Sequence, residues 1–337
     1  MADDDYCPRK RAPDYTTLRG SLNPVLRDLA DDTECRLSTL CDDVLCYLIE
    51  PMVRHVSRGV VPAELFVAEK VRAVGMQNVD AALTVFSVHF GPRGEMVVIC
   101  TGRDVPLQCR VYESEESPEP RSAFVIKPPM DCVVVTSDGR IAVQRLDTNF
   151  DFFTLSGDPL NGVQLPHCDQ AFERNTFANC VPDDRGGLVV LRLDGRTIYA
   201  ISRDYAVTSL MRLETPAVRL VSARNDLLTW TEDSDTCTRI MRSTRGGGEP
   251  PVLLCTEPRR NGVDPLEDGA GRLVWMTVGR LQSWIGGHMS SVEVDYCMDL
   301  VGHLLCVSPS GRVIFTSISG HYRIGYLSCD PSIINQV

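Results

Sequence analysis

"VVTSDGRIAVQRLD", residues 134–147, consists of two apolar runs hinged on a tight Asp-Gly turn, the pattern of a β-hairpin. Residues 306–319, "CVSPSGRVIFTSIS", repeat it with a Ser-Gly turn. Related stretches follow the same plan: "GPRGEMVVIC" around Gly94, "DDRGGLVVLR" around Gly187, "ARNDLLTWTE" around Asp226 and "GAGRLVWMTV" around Gly271. With Gly139 and Gly311 included, successive turn centres are 45, 48, 39, 45 and 40 residues apart.

A repeat of this length, filled with short β-branched and aromatic runs, is the length of four strands and their turns. Helical repeats of similar length would show a 3.6-residue apolar period, and residues beyond about 80 show none. A single four-stranded sheet cannot shield both of its faces from water, so such units stack face to face and close into a ring. The expected fold is mainly β, a β-propeller of about six blades, with a small N-terminal α-helical segment. It resembles WD40, kelch and NHL propellers in architecture, without their diagnostic dipeptides.

The N-terminal part reads differently. Residues 1–20 are polar and aperiodic, and are read as a disordered tail. Asn23 and Pro24 fit an N-cap and first helical position. Thr39 with Asp42 suits a second helix start, followed by an apolar stripe at Val44, Leu45, Leu48, Ile49, Met52, Val53 and Val56 that Pro51 interrupts. A further helix is expected from Pro62 to Gly75. The chain thus divides into a tail (1–20), a helical segment (21–78) and a β-propeller (79–337).

Composition narrows the function. The 337 residues carry a net charge of −11, which argues against a nucleic-acid partner. No apolar leader opens the chain and no run of apolar residues suits a membrane span, so no membrane partner is expected. Fourteen cysteines occur without paired spacing, which suggests a reducing cytoplasmic or nuclear location with thiols packed as small hydrophobes. "PRKR" at 8–11 is read as a solvated charge run rather than an address signal.

Phosphate-cradling, dinucleotide, nucleophile-elbow and zinc-protease motifs are all missing, so a non-enzymatic chain with no cofactor and no metal site is expected. His55, His89, His167, His288, His303 and His321 stand apart, and His167, Cys168 and Asp169 are too close in sequence to converge on one metal. Asp183, Asp184, Asn225, Asp226, Glu267 and Asp268 fall near blade turns, where Asp and Asn serve the backbone. The same residues are oxygen donors that a metal-dependent propeller hydrolase could use for calcium. Trp230, Trp275 and Trp284 are expected between blades. The loops starting at Tyr112 ("YESEESPEPRS") and Arg242 ("RSTRGGGEPPV") read as flexible surface excursions.

"LSTLCDDVLCYLI", Leu37 to Ile49, resembles the opening of an F-box, with Leu40, Asp42, Asp43, Val44, Leu45, Leu48 and Ile49 in the family's order. Cys41 replaces the usual proline, and "VAEKVRAV" ends the segment without a tryptophan. The resemblance implies a helical hook whose partner-binding residues are Leu40, Val44, Leu45, Leu48 and Ile49. It would dock a Skp-type adaptor of a cullin ubiquitin ligase while the propeller binds a protein substrate. The alternative is a plain scaffold in which these helices only cap the ring.

Overall fold

The structure is a computed structural model, and it describes residues 60–61, 63–68, 70–78, 83–102, 106–128, 132–145, 149–166, 180–192, 194–258, 263–277, 279–295, 304–316 and 323–329. A single helical turn, α1 (Glu64–Val67), precedes strand β1 (Lys70–Asn78). Blade 1 contains β2 (Leu83–Phe90), β3 (Met96–Gly102), β4 (Gln108–Tyr112) and β5 (Ser122–Val125). Blade 2 contains β6 (Cys132–Val135), β7 (Ile141–Gln144), β8 (Asn149–Phe153) and β9 (Val163–Gln164). Blade 3 contains β10 (Cys180–Pro182), β11 (Leu188–Leu191), β12 (Thr197–Ile201) and β13 (Val207–Arg212). Blade 4 contains β14 (Arg219–Arg224), β15 (Leu227–Asp233), β16 (Cys237–Thr244) and β17 (Val252–Pro258). Blade 5 contains β18 (Leu266–Glu267), β19 (Leu273–Thr277), β20 (Arg280–Ile285) and β21 (His288–Asp295).

Blade 6 takes β22 (Leu304–Val307), β23 (Val313–Thr316) and β24 (Arg323–Ser328) from the end of the described chain, and its fourth strand is β1 from the beginning. The first strands of consecutive blades, β2, β6, β10, β14, β18 and β22, adjoin one another in turn, and β22 adjoins β2 again. The fold is therefore a six-bladed propeller.

Each expected turn is the hairpin between the first and second strands of one blade. At Gly139, φ is +85°, its N–H donates to Thr136 O at 2.9 Å, and Thr136 N–H donates to Arg140 O at 2.8 Å. The same pair of bonds closes the turns at Gly94, Gly186, Gly271 and Gly311. This is a three-residue hairpin loop whose left-handed position excludes most side chains. In blade 4 Asn225 and Asp226 take φ of +51° and +60° instead, a two-residue turn. In blade 3 the left-handed residue is Gly186 rather than Gly187. Gly187 is needed for a different reason, since a Cβ there would lie 2.1 Å from the Ile201 carbonyl oxygen.

The core lies between blades, where six apolar clusters fill six junctions. Val97, Ile99 and Val111 of blade 1 meet Val133, Ile141 and Val143 of blade 2. Val85, Val98 and Tyr112 meet Ile314 and Ile324 of blade 6. Trp230 closes the layer between blades 3 and 4, and Trp275 that between blades 4 and 5. Both are fully buried, in the place expected for large aromatics. Full burial of one such aliphatic or aromatic side chain contributes about 1.5–3 kcal/mol.

The helix expected from Pro62 to Gly75 is not formed. Only Glu64–Val67 is helical, and Lys70–Asn78 is a strand that pairs antiparallel with β24 and parallel with β21. Ladders on both edges satisfy the backbone of "KVRAVGMQN", whereas an isolated helix of about a dozen residues is marginal in water. Propeller strands therefore begin inside the stretch read as helical. Among the described residues no helix is long and apolar enough to cross a membrane.

Candidate functional site

Strands alternate in direction within a blade, so the turn between its first two strands and the loop between its last two lie on one side of the ring. This side of the ring is the turn face. The six turn-proximal residues considered as calcium donors sit here, and each has a partner in the protein. Asp183, 5% exposed, pairs with Arg245 and accepts the Arg185 N–H at 3.1 Å. Asp184 accepts Asn225 N–H at 2.6 Å, and Asp226 pairs with Arg185. These contacts tie blade 3 to blade 4.

Glu267 accepts from Ser222, from Thr229 Oγ1 at 3.1 Å, and pairs with Arg242 at 3.0 Å, which ties blade 4 to blade 5. The Arg242 guanidinium also lies 5.9 Å from the centre of the Trp284 ring. Asp268 accepts the N–H groups of Val61 (3.0 Å), Ala270 (2.9 Å) and Arg272 (2.8 Å). Burial pushes its carboxyl above the ordinary range, opposed by those three bonds and the Arg272 charge. Arg272 in turn donates to Val61 O at 2.9 Å and lies over the Phe66 ring. The segment before β1 is thereby strapped to the turn face, with Val61 and Leu65 buried against blades 5 and 6. Among the described residues no group of three or more His, Cys, Asp or Glu side chains is placed to hold a metal ion.

Similar stitching joins other blades. Arg140 donates to Gly186 O at 2.8 Å, pairs with Asp138 at 2.9 Å, and lies 4.9 Å from the centre of the Tyr205 ring. The acidic loop after Tyr112, expected to be a flexible excursion, reaches across to blade 6. Ser310 donates to Glu115, and Arg312 pairs with Glu115 at 3.4 Å and Glu116 at 3.8 Å. The glycine-rich loop after Arg242 is anchored at Arg245, whose N–H donates to Asp226 O at 2.7 Å. Partners at fixed loop positions, 195 residues apart for Ser310 and Glu115, exceed what local reading can pair.

The junction of blades 1 and 2 is different. A cleft of about 460 Å³ opens there, lined by Arg93, Arg121, Ser122, Gly139, Leu155 and Ser156. Glu95, 2% exposed, accepts Arg93 N–H at 3.0 Å and the Arg93 side chain at 2.9 Å. Burial alone would raise its pKa, but the Glu95 and Arg93 amides and the Arg93 guanidinium hold it below the ordinary carboxylate range. Arg121 approaches the same carboxylate only to 3.9 Å. Two guanidiniums thus share one buried carboxylate and can accept a further anion, with Asp158 behind Ser156 setting the limit of the positive region. At the same blade junction, His89 on β2 contacts Ser87 Oγ at 3.0 Å and hydrogen-bonds the Val133 backbone of blade 2. Burial holds its pKa down at about 4. Sequence reasoning passed over Arg93 and Arg121, and gave His89 no role, because nothing local brings the two blades together.

The residues expected to bind an adaptor, Leu40, Val44, Leu45, Leu48 and Ile49, lie outside the described residues, as do His167, Cys168 and Asp169.

No protein-family description and no curated protein sequence matches the chain. Solved structures do. A calcium-binding protein, regucalcin, from Agrobacterium tumefaciens is similar over 76% of this chain and 94% of its own, with 13% identity and a TM-score of 0.51. A catalytically inactive virginiamycin B lyase from Staphylococcus aureus, with quinupristin, covers 77% and 99% at 10% identity and a TM-score of 0.48. BBS1N in complex with ARL6DN covers 77% and 98% at 10% identity and a TM-score of 0.45. At these identities the likeness is one of fold. The expectation of a non-enzymatic chain does not stand: solved structures that match this chain include a virginiamycin B lyase and a streptogramin B lyase.

Proposed function

We propose that the chain is a protein-recognition propeller that holds an acidic segment of its partner on the turn face, in the cleft between blades 1 and 2. The observation that carries this reading is Arg121, whose guanidinium lines that cleft with its nearest carboxylate 3.9 Å away. An incoming carboxylate would gain a charge-assisted, two-pronged contact with it. The supporting test is titration of a short glutamate-rich peptide by fluorescence anisotropy. Arg121→Glu should weaken binding at least tenfold, about 1.4 kcal/mol, and parent-like binding by the variant would exclude the cleft.

The finer reading keeps the F-box-like stretch as a hook for a Skp-type adaptor. What supports it is that six blades are complete from Lys70 to Ser328 without any earlier residue. In addition, the strap at Val61 begins on the turn face, the same face as the proposed partner site. Leu45→Asp would place a charge on the apolar stripe and should abolish co-purification with a Skp-type adaptor while leaving the ring's melting temperature unchanged. Equal recovery of variant and parent would refute the hook, and an insoluble variant would show that the stripe packs on the ring instead.

A further inference from the structure

Cys132 opens β6 and Cys180 opens β10, the innermost strands of blades 2 and 3. They are 48 residues apart in sequence, yet the Cys180 thiol donates to Cys132 Sγ at 3.4 Å. Both sulfurs belong to the apolar layer between these blades, with Cys180 7% exposed and Cys132 partly exposed at its edge. The two strands are held in this relation by contacts independent of the cysteines, namely Ser137 to Asp183 O and Arg140 to Gly186 O. A disulfide needs a sulfur separation of about 2.05 Å, so closure requires the sulfurs to approach by little more than an ångström.

We infer that Cys132 and Cys180 form a thiol-disulfide clasp between blades 2 and 3, closed by disulfide oxidants such as oxidised glutathione. The chemistry balances with one equivalent. The Cys132 thiolate, at the accessible edge, attacks a glutathione sulfur, forming a mixed disulfide and releasing one glutathione thiolate. The Cys180 sulfur then loses its proton and attacks Cys132 Sγ, forming the protein disulfide and expelling the second glutathione. Two protein thiols are oxidised and one glutathione disulfide is reduced. Hydrogen bonding to Cys132, together with burial, holds the Cys180 thiol well above the usual range, so the pair rests as a dithiol until Cys132 is activated. Closure crosslinks adjacent first strands of the ring and removes conformational freedom from the unfolded chain.

The test uses the full chain, folded, with oxidised glutathione as the only oxidant. After incubation the remaining thiols are alkylated, the protein is digested, and the peptides are mapped by mass spectrometry. The expected result is a Cys132–Cys180 linked peptide lighter by two hydrogen atoms, reversed by dithiothreitol, with a melting temperature raised by roughly 5 °C. Cys180→Ser should instead accumulate glutathione on Cys132. Three results would overturn the clasp: both cysteines alkylated after oxidation, a glutathione adduct persisting on Cys132 of the parent chain, or linkage appearing only in the urea-unfolded chain.

Discussion

His89 shows what a single residue's surroundings can decide. The residue is half-buried at the junction of blades 1 and 2, where desolvation holds its pKa at about 4 against an ordinary value of 6.5. The unfolded chain therefore binds a proton on this residue at a pH where the folded chain does not. The stabilisation is fully present above pH 6.5 and is lost as pH falls from there through about 4, and it amounts to about 3 kcal/mol. Urea denaturation of parent and His89→Gln between pH 7 and pH 4 should show a steeper loss for the parent by about that amount. Parallel curves would mean that His89 is hydrated and titrates normally. In the sequence His89 was one scattered histidine among six, because the burial that lowers its pKa, and the Val133 backbone bond that opposes it, arise where the next blade packs against it.

Among the elements, β1 was the one misread. Its residues continue an apparent helical segment, and only the two ladders it makes, with β24 and with β21, turn it into a strand. Those ladders also give it an outsized role, since it completes blade 6 and bonds directly to blade 5. A chain starting at residue 79 should leave two strand edges unpaired and lose cooperative melting, whereas a chain starting at residue 59 should melt within a few degrees of the parent. Circular dichroism melts of the two truncations check this, and a cooperative transition in the shorter one would deny β1 its closing role. The hairpin strands of each repeat were legible because each pair is joined by a turn with its own local chemistry, as at Thr136 to Arg140 and Ser308 to Arg312. The last repeat even reads as three strands, which is the number that its own sequence supplies.

At the scale of the molecule, the ring is held by apolar layers between blades and by charge pairs that cross from blade to blade. Arg242 of blade 4 and Glu267 of blade 5 have side chains 16% and 7% exposed, so loss of one partner strands a charge in a poorly solvated junction. Glu267→Gln should cost roughly 3 kcal/mol in urea denaturation, and Glu267→Leu combined with Arg242→Met should recover much of it. A neutral single substitution would show that water reaches the pair.

By itself the sequence determined the repeating blade and its turns, because strand periodicity and left-handed turn positions are set by residues within five places of one another. The tertiary structure alone decided that the ring has six blades, that the first strand closes the last blade, that the turn acids pair with backbone N–H groups and arginines of neighbouring blades, and that Cys132 meets Cys180. These outcomes depend on which blades become neighbours when the ring closes, and no local pattern encodes a contact between residues 48 or 195 positions apart.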